Sequence, residues 1–464
     1  MKKERCRSGE GISKWESQSL CNHSGNTLRS RIDFHRWFAM PTQETDTEHR
    51  VEELQWVVCM GDFALLRNLL SRRRDSFLWI LTGWTDALLR GFGQAVFANN
   101  PISGILTITA FALTAPGSLV AGLGTGFLGL LLSLLLRDSV ENGLTVYNPV
   151  LIGTVTYAIA PAVYGNVDAF VILMTIVGAI FSVYLTRSLS SGRFPCITVP
   201  FNVVETTLLL ILTMQRDLSG FTNGAESSTA ASYPEPSGLG DNETTGGALD
   251  DNGLANANLT VENLDWGLVF RGVVVSASQV YAVDSVAAGS VIYLGILVYS
   301  PTSAIFSLLG ALTGCLVALG LNVPYDAVYA GLWGYNSLLT AAAFGGLFMV
   351  ISGQTGAAAF VAIVFTTLLQ YVVEPLMAKV GLPVLTVPFV VTAWLFFGLR
   401  DSVDGTFPAP ISITFPESEY HNLSNVRRGG VTLYTVEDGS DPENPASDEK
   451  KPSSDPGTTD LRAI

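Results

Sequence analysis

Polar and apolar positions divide the chain into five stretches: polar 1–76, apolar 77–215, polar 216–265, apolar 266–400 and polar 401–464. Inside the two apolar stretches, runs reach the roughly 20 helical residues needed to cross a hydrocarbon layer of about 30 Å. A soluble core cannot absorb so much apolar length. The pattern therefore predicts an all-α polytopic membrane protein, with two helical halves joined by a polar loop. Gly122-Leu-Gly-Thr-Gly126 predicts a place where helices approach closely. A phosphate-binding loop there would need a neighbouring Lys and a preceding strand pattern, and neither is present.

Composition narrows the function classes. The chain is 48% hydrophobic and 14% charged, with mean hydropathy +0.38. Its net charge of −14 lies mostly in the tails and the middle loop, so it carries no ligand meaning. Cys6, Cys21, Cys59, Cys196 and Cys315 form no Cys-x-x-Cys pair and indicate neither a disulfide framework nor a zinc site. His23, His35, His49 and His421 all lie outside the apolar stretches, which removes the usual residue of an intramembrane metal hydrolase or proton relay. Asp284 and Asp326 stand without the motifs of an intramembrane aspartyl protease. No enzyme activity, metal, cofactor or nucleic-acid partner is expected, and the lipid bilayer is the first partner.

Charge and sequons predict orientation. Arg67 and Arg72-Arg73-Arg74 precede the first apolar run, which puts the 1–76 tail in the cytoplasm. No cleavable signal peptide is visible, so the first membrane helix is expected to act as the insertion signal. The 216–265 loop, rich in Ser, Thr, Gly, Asn and acids, carries acceptor sequons at Asn242 and Asn258 and is expected outside the cell. The first half then crosses an odd number of times. The second must run the opposite way and return the acidic 401–464 tail to the cytoplasm of a plasma-membrane protein. That is an inverted repeat, an architecture whose solute site lies near the midplane between the halves.

The two halves also share motifs. Pro195-Cys-Ile-Thr-Val-Pro-Phe201 returns as Pro383-Val-Leu-Thr-Val-Pro-Phe389, with Thr198 and Thr386 188 apart. Gly143-Leu-Thr-Val-Tyr-Asn148, continuing to Leu151, returns as Gly331-Leu-Trp-Gly-Tyr-Asn336, continuing to Leu339, also 188 apart. Gln94 and Gly104 return as Gln279 and Gly289, 185 apart. Three motifs in one order at nearly one offset exceed what composition produces.

These residues resemble the urea transporter family, whose halves each carry Gln-Val-x-Phe near Asn-Pro-x-x-Gly, then Gly-Tyr-Asn-x-x-Leu, then Leu-Pro-x-x-Thr-x-Pro-Phe. The resemblance covers about 75–400 and leaves out the tails and loop. It implies ten membrane-spanning helices plus two tilted re-entrant ones, and a homotrimer with one pore per subunit. The implied activity is facilitative, channel-like passage of urea. Two departures stand out: Asp284-Ser285-Val286 replaces Asp-Asn-Pro in the second copy, and Val146 replaces the Gly before Tyr-Asn in the first.

Urea is small, flat, neutral and strongly hydrated, so a pore must replace its hydrogen bonds to water. Gln94 and Gln279 offer carbonyl acceptors and amide donors, and Thr198 and Thr386 offer hydroxyls. By the resemblance these four line a narrow filter, with Thr198 and Thr386 expected at opposite ends of one pore. Phe97, Tyr147, Leu151, Tyr335 and Leu339 match its slot walls, and Ala95 and Val280 stand beside the two glutamines. Each has a plainer alternative: interhelical hydrogen bonding for Gln, back-bonding to a carbonyl one turn earlier for Thr, and packing or lipid contact for the aromatics. Ala95 and Ala282 are small for slot walls and predict a somewhat wider filter, which keeps a second solute class open: an amide, ammonia or water. Glu205 follows Thr198 by seven residues, has Ala393 as its counterpart, and needs a partner if buried. A third reading is a membrane scaffold acting through its long acidic tails.

Overall fold

A computed structural model of the chain describes residues 59–72, 77–138, 140, 142–190, 195–223, 264–401, 406–410 and 415–428. Among the described residues every regular element is helical. The first half comprises α1 (Ala64–Arg72), α2 (Phe77–Gln94), α3 (Pro101–Thr114), α4 (Pro116–Leu135), α5 (Tyr147–Val163), α6 (Ala169–Leu189) and α7 (Val199–Asn223). The second comprises α8 (Trp266–Gln279), α9 (Val286–Tyr299), α10 (Pro301–Gly320), α11 (Tyr325–Tyr329), α12 (Tyr335–Ala342), α13 (Gly353–Ala378) and α14 (Val387–Phe397), with α15 (Pro416–Arg428) beyond it. A π-helical turn, Ala343–Leu347, follows α12.

Four of these helices, α4, α6, α10 and α13, are long and apolar enough to cross a membrane. They are two matched pairs, and the chain is a multi-pass integral membrane protein. Both sequons, Asn242 and Asn258, lie outside the described residues.

The repeat seen in the motifs extends to the helix boundaries. Pro101–Thr114 recurs as Val286–Tyr299 and Pro116–Leu135 as Pro301–Gly320, a shift of 185 at all four ends. Local chemistry explains why the boundaries agree. Asn100 begins α3 by accepting from Ile102 N at 2.8 Å. Ser285 begins α9 by accepting from Ala288 N at 3.2 Å. The departure from Asp-Asn-Pro therefore keeps its function, because Ser and Asn are comparable N-caps. Residues forced into the left-handed region recur as well: Phe97 (φ 62°) with Ala282 (57°), Arg137 (60°) with Asn322 (55°), and Gly143 (65°) with Gly331 (76°).

Gly143 and Gly331 show why that motif opens on glycine. Besides its positive φ, each lies against backbone: a Cβ on Gly143 would stand 2.5 Å from Gly91 N of α2, and one on Gly331 2.8 Å from Gly272 O of α8. In α4, Gly122 and Gly126 press against Thr154 and Val150 of α5, the close approach predicted for that cluster.

Matched helices also touch each other: α3 packs on α9, and α7 meets α14. Contact between equivalent elements is what a two-fold relation between halves produces, and an inverted repeat is one architecture with that relation. Stretches read as tails pack on the same bundle. Gly61 N donates to Tyr299 O at 3.0 Å, Val350 N donates to Pro408 O at 2.9 Å, and Glu417 accepts from Thr302 N at 2.8 Å.

Candidate functional site

The site is built from the turns that lead into α7 and α14. Before each helix one residue is forced into the left-handed region, Ile197 at φ 42° and Leu385 at 52°. For bulky side chains this conformation is strained by about 1–3 kcal/mol and persists only where the surroundings hold it. Here the held atom is the carbonyl of that residue. Tyr147 Oη and Asn148 Nδ2 both donate to Ile197 O, the latter at 3.3 Å. Tyr335 Oη donates to Leu385 O at 2.5 Å and Asn336 Nδ2 donates to it at 3.2 Å. The repeated Tyr-Asn and Pro-x-x-Thr motifs are thus one device in each half. The tyrosine hydroxyls are committed to backbone, which leaves only the rings as wall.

The turns present their threonines to each other. Thr198 Oγ1 lies 2.8 Å from Thr386 Oγ1, and both residues are buried. The expectation that they stand at opposite ends of a pore does not hold, because the two hydroxyls are in contact with each other. A residue lying on a two-fold axis contacts its own copy, whereas residues away from the axis are separated. The back-bonding found for Thr107, Thr109 and Thr114 in α3 involves neither of them. Asn202, one turn into α7, joins the pair: its Nδ2 donates to Thr386 Oγ1 and to Thr198 O, both at 2.8 Å, and its Oδ1 accepts from Thr386 N at 3.0 Å.

A narrow, mostly apolar cavity runs up to this pair, lined by Gln94, Ala95, Phe97, Leu144, Tyr147, Pro195, Ile197, Thr198, Leu339, Leu347, Phe348 and Phe389. Residues of both halves contribute. Phe97 stands edge-on to Phe348 (centroids 6.0 Å apart) and to Phe389 (5.8 Å). Gln94 supplies a polar group to the lining, and its Oε1 is buried without a hydrogen-bond partner.

Six sequence-predicted residues thus come together in one cavity: Gln94, Ala95, Phe97, Tyr147, Thr198 and Leu339. Thr386 reaches it only through Thr198. Gln279, Val280, Leu151 and Tyr335 are not among its walls; Leu151 and Val280 are buried in the core, and Gln279 Nε2 donates to Ala330 O at 2.8 Å. For Gln279 the interhelical alternative describes the bond it makes. Glu205 is fully buried on α7, and both its carboxylate oxygens lie near Thr156 Oγ1, at 3.1 and 3.0 Å, away from the cavity walls. The partner its burial required is that hydroxyl.

Sequence reasoning missed several contributors. Phe389 ends the repeated Pro-x-x-Thr-Val-Pro-Phe and could have been found from it. Asn202 directly follows the first copy, but Val390 at the matching place hid its importance. Leu347 and Phe348 carry no local signal: they reach the cavity because the chain breaks at Gly345 and Gly346, the latter at φ 116°. Among the described residues, no group of three or more His, Cys, Asp or Glu side chains could hold a metal ion.

A model of the urea transporter family matches residues 85–401, which span every motif above. Urea transporter 1 of Ovis aries is 31% identical over 373 residues, covering 77% of this chain and 86% of that protein. Urea transporter 1 of Mus musculus is 28% identical over 361 residues, covering 75% and 86%. The duplicated motifs, the helix pairs they organise and the extent of these matches have one meaning: the chain belongs to the urea transporter family.

Proposed function

We propose that the protein passes urea across the membrane down its gradient, as a channel, through the cavity that ends on the Thr198–Thr386 pair. The observation that carries this reading is Gln94: it lines the cavity, and its buried Oε1 has no protein partner. An unpaired buried acceptor is costly, by about 1–3 kcal/mol, and a urea N–H removes that cost. Thr198 provides a second polar side chain to the same lining. Between them the solute moves past the apolar rings of Phe97, Tyr147, Phe348 and Phe389, which leave room for a small neutral molecule and leave an ion unsolvated. Gln279, Val280, Leu151, Tyr335 and Thr386 serve the continuation of the path through the second half. The relatives named urea transporter 1 support urea as the solute. Within the same proposal the protein is a plasma-membrane homotrimer with a pore in each subunit, both termini cytoplasmic, and glycans at Asn242 and Asn258.

Purified protein in lipid vesicles tests this. Urea efflux well above that of empty vesicles is expected, and efflux no faster than theirs refutes it. Thr386→Val is expected to slow urea by about tenfold, the effect of one lost hydrogen bond. One observation favours a second solute: Ala282 stands at the position matching Phe97, leaving that half a smaller wall. Transport indifferent to competing urea analogues would move the assignment to ammonia or water.

A further inference from the structure

Two identical hydroxyls meeting on a two-fold axis have no built-in direction, since either could donate to the other. Asn202 removes that ambiguity, because its counterpart is Val390 and only one half contains the amide. The orientation of the amide follows from two backbone groups whose roles are fixed. Thr386 N–H can only donate, and it lies 3.0 Å from Asn202 Oδ1. Thr198 C=O can only accept, and it lies 2.8 Å from Asn202 Nδ2. The nitrogen's second proton then goes to Thr386 Oγ1, also at 2.8 Å. With that oxygen accepting, the Thr386 proton has Thr198 Oγ1 at 2.8 Å as its acceptor. The Thr198 proton is left over, on the residue of the pair that lines the cavity. Reversing the central bond would strand the Thr386 proton instead, at a buried position outside the cavity wall.

We propose that Asn202 is a positioning residue that polarises the chain Asn202→Thr386→Thr198, so that the centre of the pore offers a hydroxyl donor. This inference rests on the reading of the cavity as a path for a small neutral solute, and it narrows the class. The favoured solute carries an oxygen acceptor for Thr198 and N–H donors for the Gln94 carbonyl, in one flat molecule. A solute with a sulfur acceptor meets the same Gln94 but gains less from Thr198.

The test uses the full chain in vesicles, with urea and thiourea measured side by side for wild type, Asn202→Val, Asn202→Asp, Thr198→Val and the double variant Asn202→Val/Thr198→Val. The expected result is a fall of about tenfold in urea flux for Asn202→Val, with a smaller fall for thiourea, so the urea-to-thiourea ratio drops. Asn202→Asp keeps the side-chain size if Asn202→Val fails to fold; its carboxylate accepts from the Thr386 hydroxyl, turns the chain round, and is expected to lower the same ratio. The double variant is expected to be no slower than Thr198→Val alone, because Asn202 acts through that hydroxyl. An unchanged ratio in both Asn202 variants, or losses that multiply in the double variant, overturns the inference. Wild-type urea flux equal to that of empty vesicles refutes the transport reading itself, so the two failures are distinguishable.

Discussion

Gln94 and Gln279 end matched helices 185 residues apart, yet one has a buried, unpartnered carbonyl beside a cavity and the other is tied to Ala330 O at 2.8 Å. The same contrast runs through the halves. Tyr147 and Asn148 hold Ile197 as Tyr335 and Asn336 hold Leu385. Asn202, however, faces Val390 across the repeat, and Glu205 faces Ala393. Packing against α4 and α10 has been exchanged as well. In the first half the ring of Tyr157 on α5 lies against Gly117 of α4. In the second the ring comes from Phe306 of α10 and lies against Gly345. That exchange leaves a glycine pair where α12 should continue, and the break delivers Leu347 and Phe348 to the first-half cavity. Duplication thus preserved what the backbone requires, while several side chains in and around the cavity diverged.

The largest effects are expected where the halves agree. Gly143→Ala and Gly331→Ala each force a Cβ into a positive φ and against backbone within 2.8 Å. Each is expected to cost about 3 kcal/mol or more, enough to prevent isolation of folded protein. Thermal melting in detergent checks this, and tolerance in one half alone would show that the skeleton is not shared.

Next come the glutamines, where the halves differ. Gln94→Leu is expected to slow urea about tenfold without lowering the melting temperature, since no protein bond is lost and an unpaired buried acceptor is removed. Gln279→Leu strips the partner from Ala330 O and is expected to destabilise by about 1–3 kcal/mol, with a smaller loss of flux. Equal flux losses at equal stability would remove the distinction.

The smallest effect concerns the outer face of α4. Gly124, unlike Gly122 and Gly126, has nothing within 4 Å of where a Cβ would stand, and its counterpart is Leu309. Gly124→Ala is expected to stabilise by about 0.5–1 kcal/mol through helix propensity, with unchanged flux. Any loss on melting would mean that this face is covered.

Much of the skeleton was legible in the residues themselves. Apolar run length predicts membrane helices, and three motifs at nearly one offset reveal the duplication. These are local constraints, set by what each residue's backbone and side chain can do within a few neighbours. The residues at the site were partly legible for the same reason, because Gln, Tyr-Asn and Thr recur with the turns that carry them. Local constraints cannot say where the axis between two copies passes. Only the packed structure decided that Thr198 and Thr386 lie on it and touch, that Gln279 is bonded to backbone while Gln94 is not, and that a kink at Gly345 and Gly346 sends Phe348 across to Phe97. Each depends on a distance between residues far apart in the chain, which no spacing of letters contains.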